Sequence, residues 1–416
     1  MGGMAAAIRL KKGFRLLERR DTPGGLCDTV TDGGFRFDRT GHLLHLSQGR
    51  ARKLVRDLLG DDLIEIRRRS RIFSHGVYTH YPYQANLHGL PPKVAAECLR
   101  EFIEADKARR GKRAGGKTFE EFILANFGAG IARHFMIPYN QKLWGVHPRE
   151  ITDAWCDRFV PTPELDEVID GTVGLAHDKM GYNATFLYPR KGIGALSDAM
   201  ADKLGEVEYG TAPSAVDFRR KRIRVKGRWI SYRALISSLP LDRLVPLLKD
   251  PPARMVEYCG QLRCTSLRYL DVALNRRPGT DYHWSYVPQK KYPFYRVGSY
   301  SSFSSRMAPR ARGNLYVELA SRRPVDLDAV MPRVISGLAD MGIIDRASDI
   351  AFARPRFIRR AYVVYDRWHS RASKKILEWL ENENILSVGR YGKWEYAAME
   401  NAIVQGFEAA EMARKI

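Results

Sequence analysis

The sequence predicts an α/β fold that contains helical and antiparallel-sheet insertions. Strand–helix units occur at both ends of the 416-residue chain, helical spacing dominates residues 92–143, and residues 263–320 are rich in strand-forming side chains. We therefore expect one discontinuous α/β domain made of residues 1–85, 186–240 and 350–416. A helical domain at residues 86–185 and an antiparallel β-sheet domain at residues 241–349 would interrupt it.

The first unit begins with a helix of small residues at 4–12, which Gly13 ends, and a buried strand at 14–17 then leads to Glu18. In the βαβ units that bind nucleotides, the acidic residue after the second strand accepts hydrogen bonds from a ribose. Gly3 matches the last glycine of the G-x-G-x-x-G fingerprint, whereas the first strand and the earlier glycines are absent from this sequence. We therefore expect an N-terminally truncated Rossmann-like domain that binds the pyrophosphate of its cofactor weakly. About ten further residues before Met1 would strengthen this binding.

Periodicity and turn residues assign the other elements. Strands are predicted at 29–31, 35–37, 64–67, 77–80, 207–209, 215–219, 222–225, 229–232, 234–239 and 385–388. Helices are predicted at 52–59, 94–103, 119–127, 193–204 and 327–341 and at the C-terminus.

Charge and cysteine content restrict the class of protein. The 69 Lys and Arg residues against 47 Asp and Glu give a net charge of +22, which reflects either an affinity for anions or a general arginine bias. The five cysteines form no C-x-x-C pair, so we expect reduced thiols and no metal site. Because no apolar run reaches the length of a transmembrane helix, we expect a soluble, cytoplasmic protein without a membrane span. A homo-oligomer remains possible.

Glycine-containing turns at both ends of the chain indicate a flavin dinucleotide. Gly24 and Gly25 follow Glu18 at the interval seen in flavoproteins of the two-dinucleotide-binding type, where backbone amides approach the diphosphate. A further glycine, Gly41, stands directly before His42, and both are candidate cofactor residues. Near the C-terminus, the Gly389-Arg390 turn is followed by a helix whose free N–H groups could face an electron-rich ring edge.

Longer motifs carry a resemblance to one family. They are Tyr81-Pro82-Tyr83-Gln84, the run FMIPYNQKLW at 135–144, NATF at 183–186, PFYR at 293–296 and the Gly389-Arg390 segment. With these motifs the chain resembles the UDP-galactopyranose mutases, and the eukaryotic type more than the shorter bacterial type. These mutases lie within the FAD-dependent class that also contains the amine oxidases and the protoporphyrinogen oxidases. The resemblance implies a FAD-binding Rossmann-like domain of the two-dinucleotide-binding type.

The resemblance also implies the roles of individual residues. The cofactor would contact Glu18 through its ribose, Val216 beside its adenine and His42 beside its flavin ring, together with Gly3, Gly24, Gly25, Gly41, Gly389, Arg390, Glu400 and Asn401. Two arginines, Arg158 and Arg296, occupy the positions that bind the substrate diphosphate, and planar guanidinium groups suit phosphate oxygens. The resemblance implies a uridine pocket made of Phe135, Asn140 and Trp144. It also implies contacts to the substrate phosphates or the uridine moiety from Tyr81, Gln84, Tyr362 and Tyr396. Asn183 would contact the sugar. His42, Arg158 and Arg296 would be the catalytic set.

The implied reaction interconverts UDP-galactopyranose and UDP-galactofuranose through reduced FAD, without net redox change. In such an enzyme the protein supplies orientation and a clamp of positive charge. Three positions depart from the family pattern: Phe303 replaces a tyrosine of the eukaryotic type, Ala398 an acid of the bacterial type, and Glu400 the usual Asp or Asn.

Two alternatives remain open. One is an FAD-dependent oxidoreductase of the amine-oxidase-like class, which would have no reason to keep the arginines and the Asn140 pocket together. The other is an inactive homologue that has lost its flavin and binds anions. The mixed basic and aromatic run at 290–296 could then contact single-stranded nucleic acid, although we expect no nucleic-acid partner.

Overall fold

The α/β architecture predicted from the sequence is confirmed by the fold of the protein. The structure, a computed structural model, describes residues 1–175, 180, 184–320, 324 and 326–416. Its helices are α1 Gly2–Leu10, α2 Gly49–Leu59, α3 Pro92–Arg109, α4 Phe119–Ile131, α5 Ile137–Trp144, α6 Cys156–Phe159, α7 Leu165–Val173, α8 Gly194–Leu204, α9 Leu241–Leu244, α10 Ala253–Gln261, α11 Leu327–Asp340, α12 His369–Asn382, α13 Gly389–Gly392 and α14 Met399–Ala413. A π-helical turn at Ala132–Met136 joins α4 to α5.

The strands are β1 Thr29–Asp32, β2 Phe35–Asp38, β3 Leu63–Arg67, β4 Ser70–Ser74, β5 Val77–His80, β6 Thr185–Pro189, β7 Pro213–Asp217, β8 Arg222–Val225, β9 Arg228–Ser231, β10 Leu235–Ser237, β11 Leu267–Leu274, β12 Trp284–Tyr286, β13 Phe294–Ser299, β14 Gly313–Leu319, β15 Ile350–Ile358 and β16 Ile385–Ser387.

The largest sheet has seven strands in the order β15-β11-β14-β13-β12-β4-β5. Neighbouring strands are antiparallel except β12 and β4, which run parallel. Every residue of β14 is buried, as expected for an interior strand that is covered on both faces. The sheet takes β4, β5 and β15 from segments that the sequence assigned to the cofactor domain, and the domain boundaries stay a prediction.

The parallel part of the fold is smaller than the sequence indicated. Strands β10 and β16 form a parallel pair, and Leu17 makes a single parallel bridge to Glu208. The buried strand predicted at 14–17 and the strand predicted at 207–209 are therefore wrong. Residues 14–17 form a half-buried extended segment, linked by the Glu18 N–H to the Glu208 carbonyl (3.0 Å) and by the Glu208 N–H to the Leu16 carbonyl (2.9 Å).

Helix α1 begins at Gly2, two residues earlier than predicted, and packs closely against α14. A Cβ atom at Gly406 of α14 would lie 2.3 Å from the Gly2 carbonyl oxygen and 2.8 Å from the Ala5 Cβ. Glycine at position 406 therefore permits a helix–helix approach that any larger residue would push apart.

Two further units complete the fold. Helices α3, α4, α5 and α7 pack with aromatic side chains of the large sheet in one core cluster. Strands β7, β8 and β9 form an antiparallel meander. Among the helices of the described residues, none combines the length and the apolar character that crossing a membrane requires.

Candidate cofactor and substrate cavity

A cavity of about 460 Å³ brings most of the predicted site residues together. Its walls come from the N-terminal turn of α1, from the loops after Leu17 and β2, from α5 and β13, and from the Gly389 turn. The predicted residues that line it are Gly3, Glu18, Gly24, Gly25, Gly41, His42, Tyr81, Gln84, Phe135, Asn140, Arg296, Tyr362, Gly389, Arg390 and Tyr396.

Four predicted site residues stand apart from this lining. Val216 lies on β7 and is completely buried in a core with Leu244 and Trp394. Trp144 is buried behind the cavity wall, with its ring 5.7 Å from that of Tyr362. The other two are Glu400 and Asn401, at the start of α14.

Glu400 and Asn401 make local structural bonds. The Glu400 carboxylate accepts hydrogen bonds from the Gln48 N–H (2.6 Å) and the Ser47 hydroxyl (2.9 Å), and so ties the start of α2 to α14. The Asn401 Oδ1 accepts the Ala398 N–H at 3.0 Å and caps its own helix. Asn183 and the side chain of Arg158 lie outside the described part of the structure.

At two positions of the cavity wall, close packing against another side chain requires glycine. A Cβ atom at Gly41 would lie 2.5 Å from the Tyr316 hydroxyl oxygen, and one at Gly24 would lie 2.2 Å from the Ser197 Oγ. The first turn of α1 also lines the cavity, and N–H groups in the first turn of a helix have no partner within it. A backbone that approaches closely, beside a helix N-terminus, fits the diphosphate of a dinucleotide.

The pKa of His42 is shifted strongly. Burial lowers it to about 4, and the positive charges of Arg390 and Arg296 act in the same direction. His42 is therefore a neutral imidazole at physiological pH, able to accept or donate a hydrogen bond but not to provide positive charge.

Arg296 is a fixed cation in the cavity wall. Its Nε and Nη2 donate to the two carboxylate oxygens of Glu318 on the neighbouring strand, at 3.0 and 2.5 Å. Burial disfavours the charge of Arg296, but the Glu318 carboxylate, together with the nearby Tyr362, Tyr316 and Tyr139, holds the guanidinium pKa well above its usual value. The bidentate contact fixes the plane of the guanidinium, whose Nη2 also lies 3.5 Å from the Tyr362 hydroxyl.

The sequence analysis did not identify Glu318. The sequence does contain an indication of Glu318. It is an acid within the run NLYVEL at 314–319, whose other residues are typical of a buried strand. A fully buried carboxylate needs a partner, so an acid within such a run indicates a buried cation nearby.

Aromatic rings form much of the remaining wall. The rings of Phe135 and Tyr139 stack with centroids 5.3 Å apart and planes 10° from parallel. Tyr362 and Tyr396 form a second stacked pair at 6.0 Å. Tyr81 and Tyr286 approach to 5.5 Å. Flat, partly polar surfaces of this kind suit a planar base or ring system, and Tyr139 and Tyr286 are wall residues that the sequence analysis missed.

Hydrogen bonds from polar side chains to backbone carbonyls hold two segments of the cavity wall and the β12–β13 connection in place. The Gln84 amide donates to the Pro161 carbonyl at 2.7 Å, and the Asn140 amide donates to the Met136 carbonyl at 2.8 Å. The buried Lys142 ammonium reaches four backbone carbonyls of the β12–β13 connection, at 2.6–3.1 Å. In the described residues, no group of three or more His, Cys, Asp or Glu side chains is arranged to hold a metal ion.

Comparison with known proteins places this cavity in a family. Residues 1–412 match the sequence model of the flavin-containing amine oxidoreductases. The chain belongs to this family. FAD is therefore its cofactor, in agreement with the sequence prediction.

Several solved structures share the fold over nearly the whole chain. A structure of reduced UDP-galactopyranose mutase has 27% sequence identity and a TM-score of 0.92, and the match covers 99% of this chain and 92% of that chain. The resemblance noted in the sequence is thereby confirmed. Putrescine oxidase bound to putrescine (TM-score 0.68, 15% identity, 99% and 96% covered) and the CLA-producing fatty acid isomerase from P. acnes (TM-score 0.64, 13% identity, 100% and 96% covered) share the fold alone.

Proposed function

We propose that this chain is a flavin-dependent sugar-nucleotide mutase that interconverts UDP-galactopyranose and UDP-galactofuranose through reduced FAD, without net redox change. The observation that carries the proposal is Arg296. It is a half-buried cation, fixed by Glu318, within an aromatic cavity that also contains the glycine turns suited to a dinucleotide.

The cofactor end of the cavity has groups matched to FAD. The first turn of α1 and the backbone at Gly24 and Gly25 would hold the diphosphate, and Glu18 would accept ribose hydroxyl protons. Arg390 and the neutral His42 would lie at the flavin end. Reduced FAD, when bound, supplies an electron-rich ring nitrogen that can act on the anomeric carbon of the sugar.

At the substrate end, Arg296 would neutralise the diphosphate that leaves the sugar. Negative charge develops on that group as the bond to the anomeric carbon breaks, and a cation already held in place stabilises it without further reorganisation. The stacked rings of Phe135 and Tyr139 would form the wall for the uracil base, and the hydroxyls of Tyr362 and Tyr396 would face the phosphates. The protein thus supplies orientation and charge.

The same arginine weighs against an amine substrate. A protonated amine that entered this cavity would meet two guanidinium groups, Arg296 paired with Glu318 and Arg390 held by the Ala397 carbonyl, and like charges repel. Membership of the flavin-containing amine oxidoreductase family supports a flavoenzyme. The positive charge of the cavity favours an anionic substrate over an amine.

The test uses the full chain reconstituted with FAD. Turnover of UDP-galactofuranose to UDP-galactopyranose is followed by chromatography, with oxidised enzyme and with enzyme reduced by dithionite. We expect turnover only after reduction and no oxygen consumption with amines such as putrescine. Turnover confined to the oxidised enzyme, amine oxidation, or a purified protein that fails to take up FAD would each overturn the proposal.

Arginine variants sharpen this test. We expect Arg296→Ala to lower turnover by about 100-fold or more, because one fixed donor at a developing charge has an effect of this size. Arg296→Lys should restore only part of it, since an ammonium cannot make the planar contact. Arg310→Ala, at an exposed loop arginine, is the matched control and should leave turnover unchanged.

A further inference from the structure

A strongly basic surface lies on the β7–β9 meander, which contributes no residue to the lining of the cavity among those described. Residues 218–233 read FRRKRIRVKGRWISYR and contain eight basic residues and no acidic one. Seven of the eight are exposed: Arg219, Arg220, Lys221, Arg224, Lys226, Arg228 and Arg233. The whole chain carries about three basic residues for every two acidic ones, so a segment of this length with eight basic residues and no acidic one exceeds the general bias.

The pairing of the strands places Arg224 and Trp229 on the outer side of the meander. Along β8, Ile223 is half-buried and Val225 is buried, whereas Arg224 points outward. Its partner across the strand pair is Trp229 of β9, with 40% of its surface exposed. The outer face of the meander therefore presents an exposed indole beside arginine, and the basic turns 219–221 and 226–228 lie at its ends.

Nearby acids do not cancel this charge. Asp217 is already paired with Arg222 (3.1 Å), whose guanidinium also covers the Trp229 ring at 4.6 Å. Glu208, which lies near Lys226, makes a bidentate pair with Arg15 at 2.7 and 2.8 Å. The outward-facing cations therefore remain available to an anionic partner.

We propose that the β7–β9 meander docks this protein on the surface of an anionic phospholipid bilayer. A bilayer attracts several spread cations at once, and tryptophan prefers the headgroup region, where its ring is apolar and its N–H is solvated. Single-stranded nucleic acid is usually held by several aromatic platforms along a groove, whereas Trp229 is the single exposed aromatic of residues 213–233, all of which the structure describes. The attachment is peripheral and leaves the cavity free to turn over substrate.

The experiment is cosedimentation of the full-length flavoprotein with vesicles of phosphatidylcholine alone, or containing about one-third phosphatidylglycerol. We expect binding only to the anionic vesicles, and a steep loss of binding when salt is raised to about 0.5 M, because salt screens surface charge. The triple variant Arg224→Glu, Lys226→Glu and Arg228→Glu should bind at least about tenfold more weakly.

A matched variant separates this surface from net charge. Lys93→Glu, Lys203→Glu and Arg310→Glu make the same charge change at exposed positions elsewhere, and should keep most of the binding. Trp229→Ser, which changes no charge, should weaken binding about threefold or more. Unaltered melting temperature and flavin content establish that each variant is folded.

Three outcomes would overturn the inference. The first is no binding to anionic vesicles at physiological salt, and the second is equal loss of binding in the two triple variants. The third is tighter binding of a single-stranded oligonucleotide that depends on the same residues and displaces the vesicles. Binding that survives Trp229→Ser unchanged would contradict the role given to the indole.

Discussion

At the scale of single residues, the Arg296–Glu318 pair makes a prediction that separates charge from shape. Glu318→Gln keeps the side-chain volume but leaves a buried guanidinium without its counter-charge, which should lower stability by about 2–4 kcal/mol. A diphosphate that binds beside Arg296 replaces the missing negative charge. UDP should therefore raise the melting temperature of Glu318→Gln more than that of the unchanged protein.

A second buried pair provides the control. Asp271 accepts the Arg356 Nε at 2.7 Å, and both residues lie outside the lining of the cavity among the described residues. Asp271→Asn should also lose stability, but UDP should raise its melting temperature no more than that of the unchanged protein. Equal effects of UDP on both variants would contradict a diphosphate site at Arg296.

Lys142 has a structural task as a hydrogen-bond donor, although burial lowers its pKa to about 7. Its ammonium has three N–H groups for the carbonyls of Val287, Gln289, Tyr292 and Phe294, and these residues connect β12 to β13. Lys142→Met would leave the carbonyls without a donor. We expect a loss of about 2–4 kcal/mol and faster amide hydrogen exchange across residues 287–294. Lys93→Met, at an exposed site, should change neither, and unchanged exchange in Lys142→Met would show that the lysine does not hold this connection.

At the scale of elements, the contact of α1 with α14 determines where the first turn of α1 lies beside the cavity. Gly406→Ala adds a Cβ that would meet the Gly2 carbonyl at 2.3 Å, so the helices must separate. We expect a loss of about 1–3 kcal/mol and weaker FAD binding, measured by thermal unfolding and flavin titration.

The same glycine-to-alanine substitution on α10 should raise the free energy of unfolding instead of lowering it. A Cβ at Gly260 meets no atom within 4 Å, and alanine favours a helix over glycine by up to about 1 kcal/mol. Gly260→Ala should therefore raise stability slightly and leave FAD affinity unchanged. A loss of FAD affinity in both variants would rule out the specific role of the α1–α14 contact.

Most of the longer helices could be predicted from the sequence because apolar side chains recur at helical spacing, whichever neighbour the helix packs against. The extended segment 14–17 could not, because an apolar run indicates burial but not how many strands lie beside it. Similarly, the sequence around Glu400 and Asn401 indicates a helix start. It cannot reveal that Ser47 and Gln48 come to that start from a distant part of the chain.

At the scale of the whole molecule, Asp38 joins four segments. Its carboxyl group accepts hydrogen bonds from the Thr29 hydroxyl (2.6 Å), the Tyr188 hydroxyl (2.6 Å) and the Ile193 N–H (3.0 Å), and its carbonyl accepts one from Tyr300 (2.7 Å). Burial raises the pKa of the carboxyl group to about 7, from an ordinary value of 3.8.

This shift predicts how stability depends on pH. Between about pH 4 and 7 the folded protein holds a proton on Asp38 that the unfolded chain releases. The stabilisation from this proton is therefore complete below the unfolded pKa and is lost as pH rises through 7. The melting temperature of the unchanged protein should fall, relative to that of Asp38→Asn, as pH rises from 5 to 8. A difference that is constant over this range would contradict the raised pKa.

The cavity could be located from the sequence better than the sheet that forms its wall. Local motifs contain Tyr81, Phe135 and Arg296, so their roles followed from resemblance, and the structure brings them to one cavity. The large sheet pairs residues 70–72 with residues 284–286, and no local pattern records such a pairing. Strand order depends on which distant edges meet, and this is a property of the assembled chain.

That long-range pairing has a consequence for biosynthesis. Residues from Met1 to Ala402 line the cavity, and the end that we propose for the flavin includes the Gly389 turn. A chain leaving the ribosome presents Glu18 and the early glycines long before Arg296, and Arg390 emerges almost last. FAD capture is therefore a late event, and until then the aromatic residues of the wall are exposed surfaces that a chaperone would recognise.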